Sequence, residues 1–270
     1  LILICLLFTK IELLIIFFAI SLAIHHKNLF FILFPPLYCA ILDTHYEKDV
    51  EPMKPHIICL GDSNTHGYCA DPTDCADSDL LRFNEDERWT QLLQKALGAD
   101  VLVVEEGLSG RTTVFSDPLY EGLSALDYLY PCLKSHEPVA LLIIMLGTND
   151  TKERFGASAA CIDLGMQRLV RKAMTVDCWE SCKKPNILVV APPPINDRME
   201  DSSVGFTMGR GCVQKSRQLS SLYAASAKLL GVHFLDAAGC EFNQIDYMHL
   251  TRRGHAQLAH RLAELVPHLL

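Results

Sequence analysis

The sequence has little that would connect it with nucleic acids, nucleotides or metals. Acidic residues outnumber basic ones by 32 to 24, and no run of lysines and arginines offers a surface for phosphate backbones. The eleven cysteines form no C-x-x-C pair, so we expect them to be reduced and mostly buried. The glycine-bearing segment GDSNTHG (61–67) has neither a lysine nor G-x-G-x-x-G, which argues against a phosphate-binding loop.

The first 52 residues differ in composition from the rest of the chain. They are dense in Leu, Ile and Phe, yet their longest uncharged stretch before His25 covers only residues 13–24. A membrane-spanning helix needs about 20 residues, and the segment lacks a tidy small-x-small signal cleavage site. The first methionine, Met53, stands just before the first strand-like run. We therefore expect residues 1–52 to lie outside the working protein and residues 53–270 to form one domain. A poor membrane anchor or an export signal is the alternative.

After Met53, short apolar runs alternate with longer amphipathic stretches. Continuous apolar runs are typical of parallel strands covered on both faces, and they predict strands at 57–60, 101–104, 139–146, 187–190 and 232–235. Helical spacing predicts helices at 89–97, 124–135, 159–175 and 214–230, with a last helix from about Thr251. This alternation predicts an α/β fold with one doubly wound parallel sheet of five strands.

Polar segments follow four of the predicted strands. In a parallel sheet, ligands bind outside the carboxyl ends of the strands, so these segments are the candidates for function. We expect all four to meet at one rim of the sheet: GDSN (61–64), EEGLSGRTT (105–113), GTNDTK (147–152) and DAAGCEFNQIDYMHLT (236–251).

Ser63 is either a helix-capping serine or a nucleophile. Capping serines are common after a strand, whereas a nucleophile needs a base, an orienting carboxylate and oxyanion donors nearby. Asp246 and His249 stand three residues apart before the last helix and can supply the carboxylate and the base. We expect His255 and His260 on the surface of that helix. The spacing of the three histidines does not place them on one helical face, which argues against a metal site.

Oxyanion stabilisation requires N–H donors that converge on one point. Gly110 has an unobstructed backbone N–H, Asn149 carries a side-chain amide, and Ser63 can add its own backbone N–H. Each residue taken alone is equally typical of a turn. The order of these three residues on successive rim segments favours a shared role. Asp62, next to the nucleophile, is expected to brace the loop and not to take part in the reaction.

These ordered blocks resemble those of the SGNH (GDSL-like) hydrolase family. GDSNTHG, GLSGR, GTND and DYMH match its four blocks, and RWTQLL, VVEEGLSGRTT and LLIIMLGTNDTK look like its bacterial arylesterase/acyltransferase branch. The resemblance covers residues 54–270 and implies a three-layer α/β/α, flavodoxin-like fold without cofactor or metal. It implies Ser63 as nucleophile, His249 as base and Asp246 as its orienting carboxylate, with Ser63, Gly110 and Asn149 as the oxyanion hole. No G-x-S-x-G is present, so the α/β-hydrolase elbow is excluded.

The sequence departs from many relatives beside the nucleophile. Asn64 stands where they carry Leu, and His66-Gly67-Tyr68 stands where close relatives are more aromatic. The segment 195–211, the sizeable irregular segment expected at the rim, carries Met199, Phe206 and Met208, and these are expected to form a small apolar wall.

The expected function is a serine esterase that acts on short-chain acyl and aryl esters through an acyl-enzyme. The partners are a small-molecule ester and water or an alcohol as acyl acceptor, and a homo-oligomer is left open. A carbohydrate O-acetyl esterase uses the same chemistry, and a non-catalytic ligand-binding module on this fold is the alternative from another class. We expect a cytoplasmic protein if translation starts at Met53, and an anchored or exported one if residues 1–34 are native.

Overall fold

Five parallel strands form one sheet in the computed structural model, which describes residues 53–76, 79, 81–180 and 184–270. The expectation about residues 1–52 lies outside this part of the chain. The strands are β1 (His56–Gly61), β2 (Leu102–Gly107), β3 (Val139–Met145), β4 (Ile187–Ala191) and β5 (His233–Asp236). Their order across the sheet is β2-β1-β3-β4-β5. The predicted five-stranded parallel sheet is confirmed, and its order reverses between β1 and β3, the point at which such sheets bind ligands.

Helices and short helical turns connect the strands. The α-helices are α1 (Ser63–His66), α2 (Trp89–Leu97), α3 (Ala125–Ser135), α4 (Ala159–Met174), α5 (Gly205–Met208), α6 (Cys212–Leu230) and α7 (Arg252–Leu265). The 3-10 helices are Asn149–Thr151, Glu153–Phe155, Asp197–Asp201 and Val266–His268. Thr251 caps α7 by accepting the Gly254 N–H at 3.0 Å, which starts that helix where the sequence predicts it. Within the described residues, no helix combines the length and the apolarity that crossing a membrane demands.

The core has two parts, one on each face of the sheet. In β1, Ile58 and Leu60 pack with α3, α4 and α6, whereas Ile57 and Cys59 pack with α2 and α7. Side chains alternate between the faces of a strand, so a continuous apolar run buries both of its faces. Burial of apolar surface contributes about 25 cal/mol per Å² to the free energy that stabilises the fold. The predicted three-layer arrangement is therefore confirmed, and the packing of both faces holds the rim loops in place.

The predicted extent of β2 is wrong. The strand continues beyond residue 104 through Glu105 and Glu106, because tertiary partners pair these carboxylates. Arg88 donates to Glu105 at 2.6 Å, and Tyr128 and His136 contact Glu106 at 2.9 and 2.8 Å. β2 is an edge strand, so polar residues in it remain compatible with the sheet. The bounds of the other predicted elements differ from the observed ones by two residues or fewer.

The expectation of a surface-exposed His255 is also wrong. This side chain is fully buried, and its Nδ1 accepts the backbone N–H of Trp89 at 3.2 Å. Burial, together with the charges of His249 and Arg88, lowers the pKa of His255 to about 3, so the imidazole is neutral. His255 is buried because the face of α7 that carries it packs against α2. His260 is exposed as expected. Of the eight described cysteines, all but Cys161 are buried.

Candidate active site

Ser63 lies at the start of α1, immediately beyond the carboxyl end of β1. Asp62 caps the turn, since its Oδ1 accepts the Asn64 N–H at 3.0 Å. The turn packs closely on the end of β2, because a Cβ at Gly107 would lie 2.2 Å from the backbone nitrogen of His66. Glycine at that position therefore allows the contact. The arrangement presents the Ser63 hydroxyl at the sheet rim, where the other predicted loops converge.

His249 and Asp246 lie beside Ser63 in one hydrogen-bonded chain. The Ser63 Oγ is 2.7 Å from the His249 Nε2, and the His249 Nδ1 is 2.6 Å from the Asp246 Oδ2. An ionised carboxylate only accepts hydrogen bonds, so we assign the imidazole proton to Nδ1. Nε2 is then the unprotonated nitrogen that faces the serine O–H. This is the arrangement in which an imidazole can take a proton from a hydroxyl.

The surroundings of Asp246 keep it ionised. Burial alone would raise its pKa, but the hydrogen bond and charge of His249 oppose burial, and the Asn243 amide and the Met248 N–H add further bonds. The result is a pKa of about 2. At neutral pH the carboxylate therefore remains a charged acceptor for the His249 Nδ1–H.

Asn243 shapes the loop that carries this pair. Its Oδ1 accepts the N–H groups of Ile245 and Asp246 at 2.8 and 2.9 Å, and its Nδ2 donates to the Asp246 Oδ1 at 2.9 Å and the His249 carbonyl at 2.8 Å. Within the loop, Tyr247 has a φ of +59°, which is uncommon for a non-glycine residue. A residue in this region bends the chain sharply, so Asp246 and His249 can face each other three positions apart.

Asn64 joins the nucleophile turn to the same loop. Its Oδ1 accepts the Leu250 N–H at 2.9 Å, and its Nδ2 donates to the Met248 carbonyl at 3.3 Å. These two residues flank His249, so one side chain holds the backbone on both sides of the imidazole. Asn64 also directly follows Ser63 and is only 2% exposed. It therefore couples the position of the imidazole to that of the hydroxyl.

We expect replacement of Asn64 by leucine to lower kcat by about 10- to 100-fold with little change in KM, because a small displacement of the base misaligns the proton transfer. The leucine has similar size but neither hydrogen-bonding group. Asn196→Ala, which removes an exposed asparagine that caps a 3-10 helix, is the matched control. Steady-state kinetics and thermal denaturation should be measured together. An Asn64→Leu protein with wild-type kcat would show that the two bonds do not position His249.

Two of the predicted oxyanion donors are backbone groups. Gly110 has a φ of +88°, a conformation that favours glycine, and a Cβ there would lie 3.1 Å from Leu123. Within the described chain, the N–H groups of Ser63 and Gly110 donate to no protein acceptor. Both residues line the same pocket.

Asn149 lies in the same pocket, in the first position of a 3-10 helix beyond β3. Its Nδ2 donates to the Arg111 carbonyl at 3.2 Å and lies 3.5 Å from the Asp62 Oδ2. The second contact is at the limit of a hydrogen bond, so this N–H can turn toward a substrate oxygen. Asp62 thus braces the loops as expected, and burial raises its pKa to about 6.

The pocket next to Ser63 has a volume of about 470 Å³. Its apolar and aromatic walls come from several loops, not from the segment 195–211 alone: Tyr68, Tyr120, Leu123, Val204, Met208 and Met248. Tyr68 contacts His249 edge-on, with ring centroids 4.7 Å apart. Its position in GDSNTHGY, beside the nucleophile, was the available signal for this wall.

The expected wall of Met199, Phe206 and Met208 is correct only for Met208. Met199 is fully buried in a small core with Ile195 and Met248, while Phe206 is 100% exposed. The segment is also less irregular than expected, since it contains a 3-10 helix and α5. Helical turns direct neighbouring side chains to opposite sides, which explains why three apolar residues in one segment do not share a wall.

Comparison with known proteins agrees with this architecture. A family model described as the GDSL-like Lipase/Acylhydrolase family matches residues 59–257. Est24, a carbohydrate acetylesterase from Sinorhizobium meliloti, is 36% identical, with 80% of this chain and 100% of that chain covered and a TM-score of 0.71. The native aryl esterase of M. smegmatis is 38% identical, with 80% and 100% covered and a TM-score of 0.69. A search of curated proteins gave no match. The chain therefore belongs to the GDSL-like lipase/acylhydrolase (SGNH hydrolase) family of carboxylic-ester hydrolases, as its four ordered blocks predict.

Proposed function

We propose that this serine esterase works through an acyl-enzyme on Ser63. The hydrogen-bonded chain from Ser63 through His249 to Asp246 is the observation that carries the proposal. The Ser63 Oγ attacks the ester carbonyl while the His249 Nε2 takes its proton, and that proton then passes to the leaving alcohol. The same nitrogen then takes a proton from water as the water attacks the acyl-enzyme, and it returns this proton to the Ser63 Oγ as the acid leaves. Asp246 stabilises the imidazolium that forms in each half-reaction.

The negative charge on the carbonyl oxygen develops on the side of the oxyanion donors. We assign these to the backbone N–H groups of Ser63 and Gly110 and to the side-chain amide of Asn149. Three different loops hold these donors, and the N–H groups of Ser63 and Gly110 have no acceptor within the described chain. Donors fixed before the reaction stabilise the transition state without the reorganisation that water would need.

The substrates that suit this site are short-chain acyl esters and aryl esters. The pocket is of modest volume, about 470 Å³, and Tyr68 and Tyr120 offer aromatic surfaces for an aryl leaving group. The similarity to the M. smegmatis aryl esterase supports the same choice. Because the walls are largely apolar, we also propose that an alcohol competes with water for the acyl-enzyme and gives a new ester.

We expect the rate to fall steeply for acyl chains longer than about six carbons, given the size of the pocket. The measurement is kcat/KM for p-nitrophenyl esters from acetyl to dodecanoyl, with and without an added primary alcohol. Leu123→Ala should extend the tolerated length, since Leu123 forms the wall next to Gly110. Leu229→Ala, on the exposed surface of α6, should not. A maximum at octanoyl or longer in the wild type would contradict the proposed preference.

A carbohydrate O-acetyl esterase is the second candidate. The observation that favours it is the 36% identity to Est24, whose description is carbohydrate acetylesterase. Both candidates use the same residues and differ only in the alcohol part of the ester. Assays of acetylated sugars beside p-nitrophenyl acetate distinguish them, because activity confined to the sugars would favour the deacetylase.

A further inference from the structure

Lys152 is a buried cation in the wall of the active-site pocket. It follows the 3-10 helix that carries Asn149, and it lines the pocket together with Ser63 and Gly110. The residue is only 5% exposed. Nevertheless, its ammonium group forms no hydrogen bond and no ion pair with any other residue in the described part of the chain.

The carboxylates around Lys152 are engaged elsewhere. Asp117 accepts from Arg154 at 2.8 Å, Asp150 accepts from the Thr113 N–H at 2.9 Å, and Asp62 caps α1. Burial and, next, the charge of Arg154 lower the pKa of Lys152, while these three carboxylates partly oppose the change. A buried charge without a direct partner costs free energy, so a partner supplied by the ligand would be favourable.

We propose that Lys152 binds an anionic group of the substrate, so that the preferred esters carry a negative charge, such as a carboxylate, on the acyl or the alcohol part. This rests on the proposed function, because the anion is held in the pocket where Ser63 reacts. Glu121 also lines the pocket, but its exposure to solvent screens its charge. The Lys152 side chain is largely buried, so its ammonium group and a substrate carboxylate interact with less screening than charges on the surface.

The test uses two pairs of esters that differ in charge. Mono-p-nitrophenyl fumarate, whose trans double bond prevents its carboxylate from attacking its own ester, against p-nitrophenyl trans-2-pentenoate places the carboxylate on the acyl side, and para-acetoxybenzoate against its methyl ester places it on the alcohol side. We expect the wild type to favour the charged ester of one pair. In Lys152→Met, the ratio of kcat/KM for charged over neutral ester should fall by about 10- to 100-fold in that pair, as expected for the loss of a charge-assisted hydrogen bond. Intrinsic reactivity cancels when variant and wild type are compared on the same pair.

Two further variants provide the controls. Lys152→Arg keeps the charge and should retain most of the wild-type ratio. Lys172→Met removes an exposed lysine in the last turn of α4 and should leave the kcat/KM for both esters unchanged. An equal loss of kcat/KM for charged and neutral esters in Lys152→Met would show that Lys152 has a structural role, and it would overturn the proposal. So would a wild type with no preference for the charged ester in either pair after kcat/KM is divided by each ester's rate of hydroxide-catalysed hydrolysis, a result that does not require the variant to fold. Loss of neutral-ester turnover in Ser63→Ala tests the proposed function separately.

Discussion

Replacing Ser63 by alanine is expected to abolish nearly all esterase activity, with a loss in kcat of about 10⁴- to 10⁶-fold, because no other group can form the acyl-enzyme. His249→Ala should be comparably severe. Asp246→Asn should cost roughly 10⁴-fold, since an amide no longer holds the imidazole with its proton on Nδ1. The losses should not add in a double variant, because the three side chains act as one unit. The measurement is single-ester kinetics on variants whose folding is checked by circular dichroism.

Matched controls separate chemistry from general damage. Ser221→Ala and His260→Ala remove the same functional groups from exposed positions on α6 and α7, and both should keep wild-type activity. A fluorophosphonate should label Ser63 in the wild type and leave Ser63→Ala unlabelled. This separates a catalytic serine from a ligand-binding module on the same fold. A Ser63→Ala protein with wild-type turnover would exclude the proposed mechanism.

The sequence predicts the positions of these groups well, because parallel strands bring the residues that follow them to one rim. Ser63, Gly110, Asn149 and the pair in 246–249 each follow a strand that its apolar run makes recognisable. Because the strands are parallel, the loops that follow them are neighbours, and Ser63 and His249 are in contact although they lie 186 residues apart along the chain.

The contacts that orient the groups could not be predicted in this way. Asn64 is polar next to a nucleophile, yet its partners Met248 and Leu250 lie more than 180 residues later and are reached through backbone atoms, which leave no pattern in the sequence. The predicted end of β2 before Glu105 is wrong for a related reason. A charged residue ends an apolar run in the sequence, but the Arg88 side chain pairs with it in space and the strand continues.

Removal of the Asn149 amide is expected to lower kcat by about 10²- to 10³-fold with little change in KM, because the amide binds the oxyanion more strongly than the ground-state carbonyl. Asn149→Ala deletes the group, and Asn149→Asp keeps its size without its N–H donors. Asn196→Ala is the control at an exposed position. Thermal denaturation should accompany the kinetics, because Asn149 also donates to the Arg111 carbonyl and its loss lowers stability to some degree.

The separation of kcat from KM decides what Asn149 does. A donor that acts only in the transition state lowers kcat and kcat/KM equally, whereas a donor that holds the bound ester equally in both states raises KM alone. The 3.5 Å contact to Asp62 favours the first outcome, since an N–H held at that distance gains more from a full negative charge than from a neutral carbonyl oxygen. A raised KM with an unchanged kcat in both variants would instead make Asn149 a substrate-binding residue and leave the oxyanion to the backbone N–H groups of Ser63 and Gly110.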